Sequence, residues 1–518
     1  MPFSIRQSSR LRALLILVVA TVFAGCSVNP VTGKQEIVFV SEADEIRMGE
    51  QAYLPSQQSQ GGVYDVDPAL TAYVERVGRK LVAVSDRDLP YEFVVLNNSV
   101  PNAWAMPGGK MAINRGLLVE LENEAELAAV LGHEIVHAAA RHSAQQMTRG
   151  TFSQVLVAAT AIAVGDSDYG ALATGSAGLG AQLINSTYGR GAELESDLYG
   201  MRYMSAAGYD PQGAVTLQET FVRLSEGGQQ DWLSGLFASH PPSQARVEAN
   251  KATAASLPPG GKIGADEFQL AMQTTLAARP AYEAYDEGRK ALADGDKEKA
   301  LSLAERALDL FPDEANFHAL RGDVRFVEDN YEWAVTNYDR AISRRDGFFY
   351  YHLQRGVANN ELGATDSAVR DLERSIELLP TAPAHYTLGN IARDRGDATK
   401  AIEHYRVVAQ AGGDYGRAAT TELARLDLSR NPSAYIAHAC EAGTNGNLVV
   451  LVQNRAGVPV TDVRIAVSYN DSAGRAQQVT RSISGVVDPD EIASVDTGLG
   501  PYSGGGCPAE VVGARVSE

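Results

Sequence analysis

The chain is short of cysteine, of basic clusters and of long apolar runs, and each shortage narrows what it can be. Its 518 residues hold three cysteines, too few for a disulfide framework and enough for one pair beside a single thiol. A formal net charge of −19 with no basic cluster argues against nucleic acid as a partner and for a soluble body. The apolar stretches Ala13 to Ala24 and Val155 to Val164 are too short to span a bilayer. Histidine is scarce too, nine in all, so a regular spacing between two of them carries information. What remains is ordinary globular composition, 45% hydrophobic and 21% charged, at a length that calls for several domains.

The N-terminus reads as a targeting segment. Arg6, Arg10 and Arg12 precede the apolar run, which ends Phe23-Ala24-Gly25-Cys26. This resembles a bacterial lipoprotein signal, spanning residues 1–25, with Cys26 as the lipidated first residue of the mature chain. Phe23 stands where such signals usually carry Leu. Ser27, not Asp, follows the cysteine, which by the same resemblance implies the periplasmic face of the outer membrane; a plain secretory signal and a soluble periplasmic protein are the alternative. Cys440 and Cys507 are then left as one pair, and a disulfide between them suits an oxidising compartment. Two buried thiols are the other option.

Leu127 to His142, LAAVLGHEIVHAAARH, carries the chemistry. Apolar Leu127, Val130, Leu131, Ile135, Val136 and Ala138 describe a mostly buried helix. His133 and His137 are one turn apart on its face, so both rings can reach one ion, the HExxH arrangement for zinc. A catalytic zinc needs three protein ligands and an open position for water. Glu134 stands beside the first ligand, where it can take a proton from that water and pass it to a leaving amine.

Around this helix the sequence predicts a helix opening at Ser41 with a reciprocal cap, a second near Pro68 to Val84, and a strand over Tyr91 to Leu96. Ala103 to Ile113 reads as two extended segments joined at Pro107-Gly108-Gly109. Thr151 to Ser186, rich in Ala, Gly, Val and Thr, reads as helices packed against the cleft or closing over it, with a membrane-dipping hairpin as the alternative. A linker rich in Pro, Gly and Ala is expected near Ala255 to Ala265.

Pro101 to Gly109, Asn114 to Leu118, Glu124 to Leu127 and HEIVH together resemble the zinc metallopeptidase family that includes the CAAX prenyl protease, HtpX and the bacterial beta-barrel assembly-enhancing protease. Asn29-Pro30-Val31-Thr32-Gly33 resembles its exported lipoprotein members. The resemblance implies an α+β zincin-type domain over residues 26–262 and takes the third zinc ligand from a Glu four residues before an Asp. Here these are Glu193, for the metal, and Asp197, which would orient a ligand histidine through its other ring nitrogen. Ser196 stands where the family usually has Ala. Glu195, on another face, is expected to be a solvated charge. By the same resemblance His240 occupies the fourth zinc position in a resting state, and Arg246 stabilises the oxyanion of the tetrahedral intermediate.

Beyond the linker, Gly288, Gly322, Gly356 and Gly389 recur at intervals of 34, 34 and 33 residues, as do Ala300, Ala334, Ala368 and Ala401. That period marks tetratricopeptide repeats, an α-solenoid over residues 281–430, with Tyr338 and Tyr405 at the aromatic position of the second helix. His318, His352, His385 and His404 lack ligand spacing and read as packing or surface residues. From 432 to 518 the period drops to two, over Leu448 to Val452, Val463 to Tyr469 and Gln478 to Ile483. This predicts a small immunoglobulin-like β-sandwich stapled by Cys440 and Cys507.

The expected function is a periplasm-facing zinc endopeptidase acting on polypeptides in envelope quality control, with repeats that bind substrate or outer-membrane assembly machinery. A chaperone or scaffold working through its repeats is the alternative.

Overall fold

The computed structural model describes residues 26–148, 188–226, 239–470, 475–502 and 506–517. The expected signal segment and the apolar stretch Thr151 to Ser186 lie outside them. No helix among the described residues is long and apolar enough to cross a membrane. Two compact units divide the chain, the first holding the bulk of it up to Ala364 and the second most of the residues from Thr365 onward. The division falls inside the expected repeat array.

The first unit opens with a small antiparallel ribbon, β1 (Cys26–Val28) and β2 (Gln35–Ile37). Helix α1 (Glu42–Ser59) starts at Ser41, which accepts from the Asp44 amide; the hydroxyl also donates to the Asp44 carboxylate, so the cap is one-sided and not the reciprocal box expected. Helix α2 (Pro68–Val82) has Pro at its first position and buries Leu70, Val74, Val77 and Leu81 on one stripe. A three-stranded sheet comes next, β3 (Glu92–Leu96), β4 (Ala103–Met106) and β5 (Lys110–Asn114), ordered β3-β5-β4 with β4 antiparallel at the edge. After the short α3 (Arg115–Leu118) comes α4 (Glu124–Ala139), every residue of which is buried. Full burial of Leu127, Leu131, Ile135 and Val136 stabilises the helix by about 1.5–3 kcal/mol each, which fixes its azimuth and with it the direction of both histidines.

Helix α5 (Arg190–Ala206) crosses α4 backbone to backbone. A Cβ on Gly132 would stand 3.1 Å from the Gly200 carbonyl oxygen, and one on Gly200 would stand 3.0 Å from the His133 amide nitrogen. Only this close approach lets the short side chains of α5 reach the histidines of α4. Helices α6 (Gln212–Glu226) and α7 (Gln244–Ser256) complete the domain. The stretch expected as a linker runs between Ser256 and Ala265 and also acts as a strap. The Lys262 amide donates to Gly208 O, while the carbonyls of Ile263 and Gly264 accept from Ala125 and Glu124, unpaired donors at the start of α4. Lys262, Tyr73 and Tyr209 also converge on the buried Glu124 carboxylate, and these bonds, outweighing burial, hold it down at about 2.

A run of helices follows the strap. After α8 (Ala265–Ala271) come α9 (Gln273–Ala293), α10 (Lys297–Leu310), α11 (Ala315–Val327), α12 (Tyr331–Arg344) and α13 (Phe349–Glu361). They dock on the N-terminal core. Gln58 donates to Gly347 O and accepts from the Phe349 amide, both at 2.8 Å, and Arg345 donates to Val63 O at 2.8 Å. Arg115 lies 3.4 Å over the Tyr282 ring, and Tyr282 and Asn97 share the Glu314 carboxylate. His318 and His352, 34 residues apart, each donate Nε2–H to the carbonyl six residues upstream, Pro312 and Asp346, so each is a repeated staple rather than a ligand.

In the second unit α14 (Thr365–Leu378), α15 (Ala382–Asp394), α16 (Ala398–Ala409) and α17 (Gly413–Asp427) continue the helical pattern. The small-residue logic of the repeats holds in both units: a Cβ on Gly322 would meet the Tyr338 ring at 2.7 Å, and one on Gly389 the Tyr405 ring at 2.6 Å. Two three-stranded antiparallel sheets end the chain. One is ordered β10 (Ile492–Asp496), β7 (Leu448–Asn454), β6 (Ile436–Ala442); the other β11 (Ala509–Val516), β8 (Val460–Asn470), β9 (Ala476–Ser482). Leu448, Val450 and Val452 alternate inward to a core shared with Val463, Ile465 and Val511. Cys440 and Cys507 are disulfide-bonded.

Candidate metal centre

On α4 the Nε2 atoms of His133 and His137 come within 3.0 Å of each other. Glu193, in the first turn of α5, brings Oε2 to 3.5 Å from His133 Nε2 and Oε1 to 3.4 Å from His137 Nε2. His240 adds Nδ1, 3.2 Å from both His133 Nε2 and Glu193 Oε1. Donors arranged tetrahedrally about one zinc ion at bonds of about 2.0–2.1 Å are about 3.3 Å apart. Edges of 3.0 to 3.5 Å therefore fit a single ion. All four side chains are buried, and among the described residues they form the one cluster of three or more His, Cys, Asp or Glu suited to a metal.

The charge pattern suits it as well. Burial works against an anionic Glu193, but hydrogen bonds from His133 above all, then His137 and His240, hold its carboxyl far below the usual range. Burial lowers His133 too, yet its bonds to Asp197 and Glu193 push it up to about 10. His137 goes the other way, driven down by burial. The carboxylates around the cluster thus favour positive charge at its centre.

Behind the cluster, His133 Nδ1 meets Asp197 Oδ1 at 2.9 Å. Asp197 in turn takes a two-pronged contact from Arg246, Nε to Oδ2 at 2.8 Å and Nη2 to Oδ1 at 2.7 Å. Arg246 Nη1 lies 3.0 Å from Glu193 Oε2 and donates to Pro241 O. The Arg246 guanidinium thus braces Asp197, Glu193 and the loop after His240. Glu134 projects from α4 with Oε1 3.6 Å from His240 Nε2, and its buried Oε2 has no hydrogen-bond partner. An apolar pocket of Ala129, Val130, Met201, Leu217 and Phe221 opens beside His133 and Glu134.

Three participants escaped the sequence reading. The Tyr188 ring stacks 4.0 Å from that of His137, with its hydroxyl 2.8 Å from Ser143 Oγ. His142 stands 3.0 Å from His137 through their Nδ1 atoms. Glu195, expected as a solvated charge, is a correction: only 16% of its side chain is exposed, and it accepts from His142 and from Asn29. The third histidine in AAARH was the available signal; nothing in the spacing pointed to Tyr188.

Two inward imidazoles one turn apart, a carboxylate from a crossing helix and an unpartnered acid beside them make up a metallopeptidase type of centre. Comparison with known families agrees: residues 68–254 match Peptidase family M48, and residues 285–348 and 353–416 match the tetratricopeptide repeat. The chain is thus similar to M48 metallopeptidases over residues 68–254 and to tetratricopeptide repeats over the stretches that follow. Among curated relatives, the mitochondrial metalloendopeptidase OMA1 of Schizosaccharomyces pombe is 33% identical over 223 residues, 42% of this chain and 63% of its own. The putative beta-barrel assembly-enhancing protease of Vibrio cholerae is 30% identical over 37% of this chain and 41% of its own. The beta-barrel assembly-enhancing protease of Escherichia coli is 27% identical over 49% of this chain and 51% of its own. The match thus spans less than two thirds of each of these three relatives.

Proposed function

We propose that this protein is a zinc-dependent endopeptidase of the bacterial envelope, facing the periplasm and held to the outer membrane by a lipid on Cys26, that removes misfolded or stalled proteins. The unpartnered Oε2 of Glu134 beside a fourfold donor cluster carries the reading, because a buried carboxylate oxygen without a partner is costly unless a ligand or reactant meets it there. His133, His137 and Glu193 hold the metal. A bound zinc ion would supply a polarised scissile carbonyl and a water of lowered pKa. Glu134 takes the proton of that water and delivers it to the departing amine. Asp197 and Arg246 keep His133 and Glu193 in register. His240 would be a fourth holder of the ion at rest, so its ring would have to leave to admit substrate, and the apolar pocket beside Glu134 would receive an apolar side chain flanking the scissile bond. The repeats recruit the polypeptide or an assembly machine; two of the relatives above are named for beta-barrel assembly, which supports barrel proteins as the substrate class.

Casein hydrolysis by the purified full chain, with and without chelator, beside a metal analysis, tests this. Glu134→Gln keeps one zinc per chain and loses hydrolysis by about 10²- to 10⁴-fold. Equal hydrolysis by the variant would end the reading.

A further inference from the structure

Both imidazoles of α4 present Nε2 to the cluster, so each has Nδ1 free for a partner on the far side. For His133 that partner is the Asp197 carboxylate, the usual arrangement for a ligand histidine. For His137 it is another imidazole. His137 Nδ1 and His142 Nδ1 are 3.0 Å apart, and His142 Nε2 is 3.2 Å from Glu195 Oε1.

The proton positions come from this order. A ligand that uses Nε2 carries its hydrogen on Nδ1 and donates it, so His142 must accept at Nδ1 and hold its own hydrogen on Nε2, which donates to Glu195. Ser196, fully buried, stands 3.5 Å from the same His142 Nδ1, on the acceptor side of that ring. The carboxylate that anchors His137 is thus one ring further away than the one that anchors His133.

The outer end of the row belongs to the N-terminal segment. Asn29 Nδ2 donates to Glu195 Oε1 at 3.2 Å and to Glu36 Oε1 at 3.3 Å, while its Oδ1 accepts from the amides of Val31 and Thr32. Asn29 is 1% exposed, and Lys34 Nζ lies 3.8 Å from Glu195 Oε2. The turn after β1 is therefore built around a side chain whose donors point at the back of the metal centre. Nearby, Arg141 clasps Ser27 Oγ at 2.7 Å and Val40 O at 2.6 Å, seating the same segment on the end of the metal-bearing helix.

We propose that His142 and Glu195 are positioning residues for His137, and that Asn29 fixes the far end of this relay, so that the N-terminal turn sets how tightly the centre holds its ion. The inference rests on the metallopeptidase reading, since it needs a metal to be held. It adds a second, longer arm to the Asp197 and Arg246 arm, and it ties that arm to residues directly after the expected anchor at Cys26. Contacts of this kind, once removed from the ligand, typically change metal affinity by about 10- to 100-fold.

The test is a zinc competition titration of the full chain against a chromophoric chelator, with the thermal unfolding of each metal-stripped variant as control. His142→Phe and Glu195→Gln weaken zinc binding by about 10- to 100-fold, and Asn29→Ala weakens it by less, in the same direction. His142→Asn, whose amide oxygen accepts where Nδ1 did, retains more affinity than His142→Phe at equal metal-free stability. Zinc affinity unchanged in His142→Phe and Glu195→Gln overturns the relay. An equal loss in the Asn and Phe variants shows that the ring only fills space, which also overturns it. Unchanged affinity in Asn29→Ala overturns the link to the N-terminal turn. A wild-type chain that takes up no zinc would instead defeat the metallopeptidase reading itself.

Discussion

Arg246→Leu is the sharpest perturbation the centre allows. The guanidinium is 4% exposed and touches two carboxylates that are themselves buried, Asp197 through Nε and Nη2 and Glu193 through Nη1. Removing it takes a buried cation from both acids and leaves His133 as the partner they share. Breaking one buried pair costs about 3–5 kcal/mol, and two carboxylates depend on this one residue, so the upper half of that range is expected. In a domain of about 150–250 residues each kcal/mol moves the melting temperature by about 2–4 °C. Metal-stripped Arg246→Leu should therefore melt about 8–20 °C below the wild type, a shift obtained by multiplying those two ranges. Saturating zinc should recover part of the deficit, because the ion neutralises Glu193 directly while Asp197 remains dependent on His133. Arg246→Lys, which keeps the charge and loses the two-pronged geometry, should fall between. Calorimetry of each variant with chelator and with zinc measures this. A metal-free shift under about 2 °C, which is under about 1 kcal/mol, would refute the bracing role and return Arg246 to the oxyanion site expected for it.

Other consequences can be checked separately. His240→Ala removes the ring from the fourth position and should raise basal casein hydrolysis; a latch worth about 1.4 kcal/mol gives about a tenfold rise, and no rise would exclude a resting block. Gln58→Leu strands the Gly347 carbonyl and the Phe349 amide at the seam between peptidase core and repeats, at about 1–3 kcal/mol for each group, so hydrogen exchange at residues 347–349 should speed up; exchange as slow as in the wild type would count against the seam. His318 is held down at about 4, by burial first, with a hydrogen bond to Pro312 O opposing and the charges of Arg344, Arg321 and Arg340 adding to the drop. Its native form is neutral, so its contribution is complete above pH 6.5 and fades as pH falls from 6.5 towards 4. The unfolding free energy of the wild type, from urea titrations, should drop by about 1–3 kcal/mol across that window and that of His318→Asn by less; equal slopes would contradict the staple.

What could be read beforehand was whatever repeats or stays local. The HExxH spacing, the 34-residue recurrence of Gly and Ala, and the strand Leu448–Asn454 are written in periods of 3.6, 34 and 2. They appear in the structure close to their expected limits. That the linker also straps the start of α4 at Ile263 and Gly264 was not legible, because Pro and Gly mark irregular backbone without saying which helix end it satisfies. The docking of the repeats on the peptidase core was invisible for another reason. It rests on Gln58, Arg345, Asn97 and Glu314, polar residues that carry no apolar signal and whose partners are more than 200 residues away.

Glu195 shows most clearly where inference from spacing stops. Two residues along a helix is a turn of about 200°, so Glu195 was set apart from Glu193 and Asp197 correctly. The step from there to a solvated charge assumed that the metal-facing side of α5 is its buried side. Gly132 and Gly200 undo that assumption, because they let α4 and α5 touch so closely that the chain beyond α4 turns at Arg141 and carries His142 round to the flank of α5. A residue facing away from the ion then meets the back of the ligand His137 by way of His142. Periodicity tells which side chains share a face; what stands opposite that face is decided by how near two backbones come. In this protein that distance is set by two glycines whose importance no hydrophobic pattern records. Gly200→Ala should accordingly weaken zinc binding more than Glu195→Gln does, since it moves Glu193, Asp197 and Glu195 together, and a Gly200→Ala protein that binds zinc as tightly as Glu195→Gln would show that the crossing is looser than its 3.0 Å approach implies.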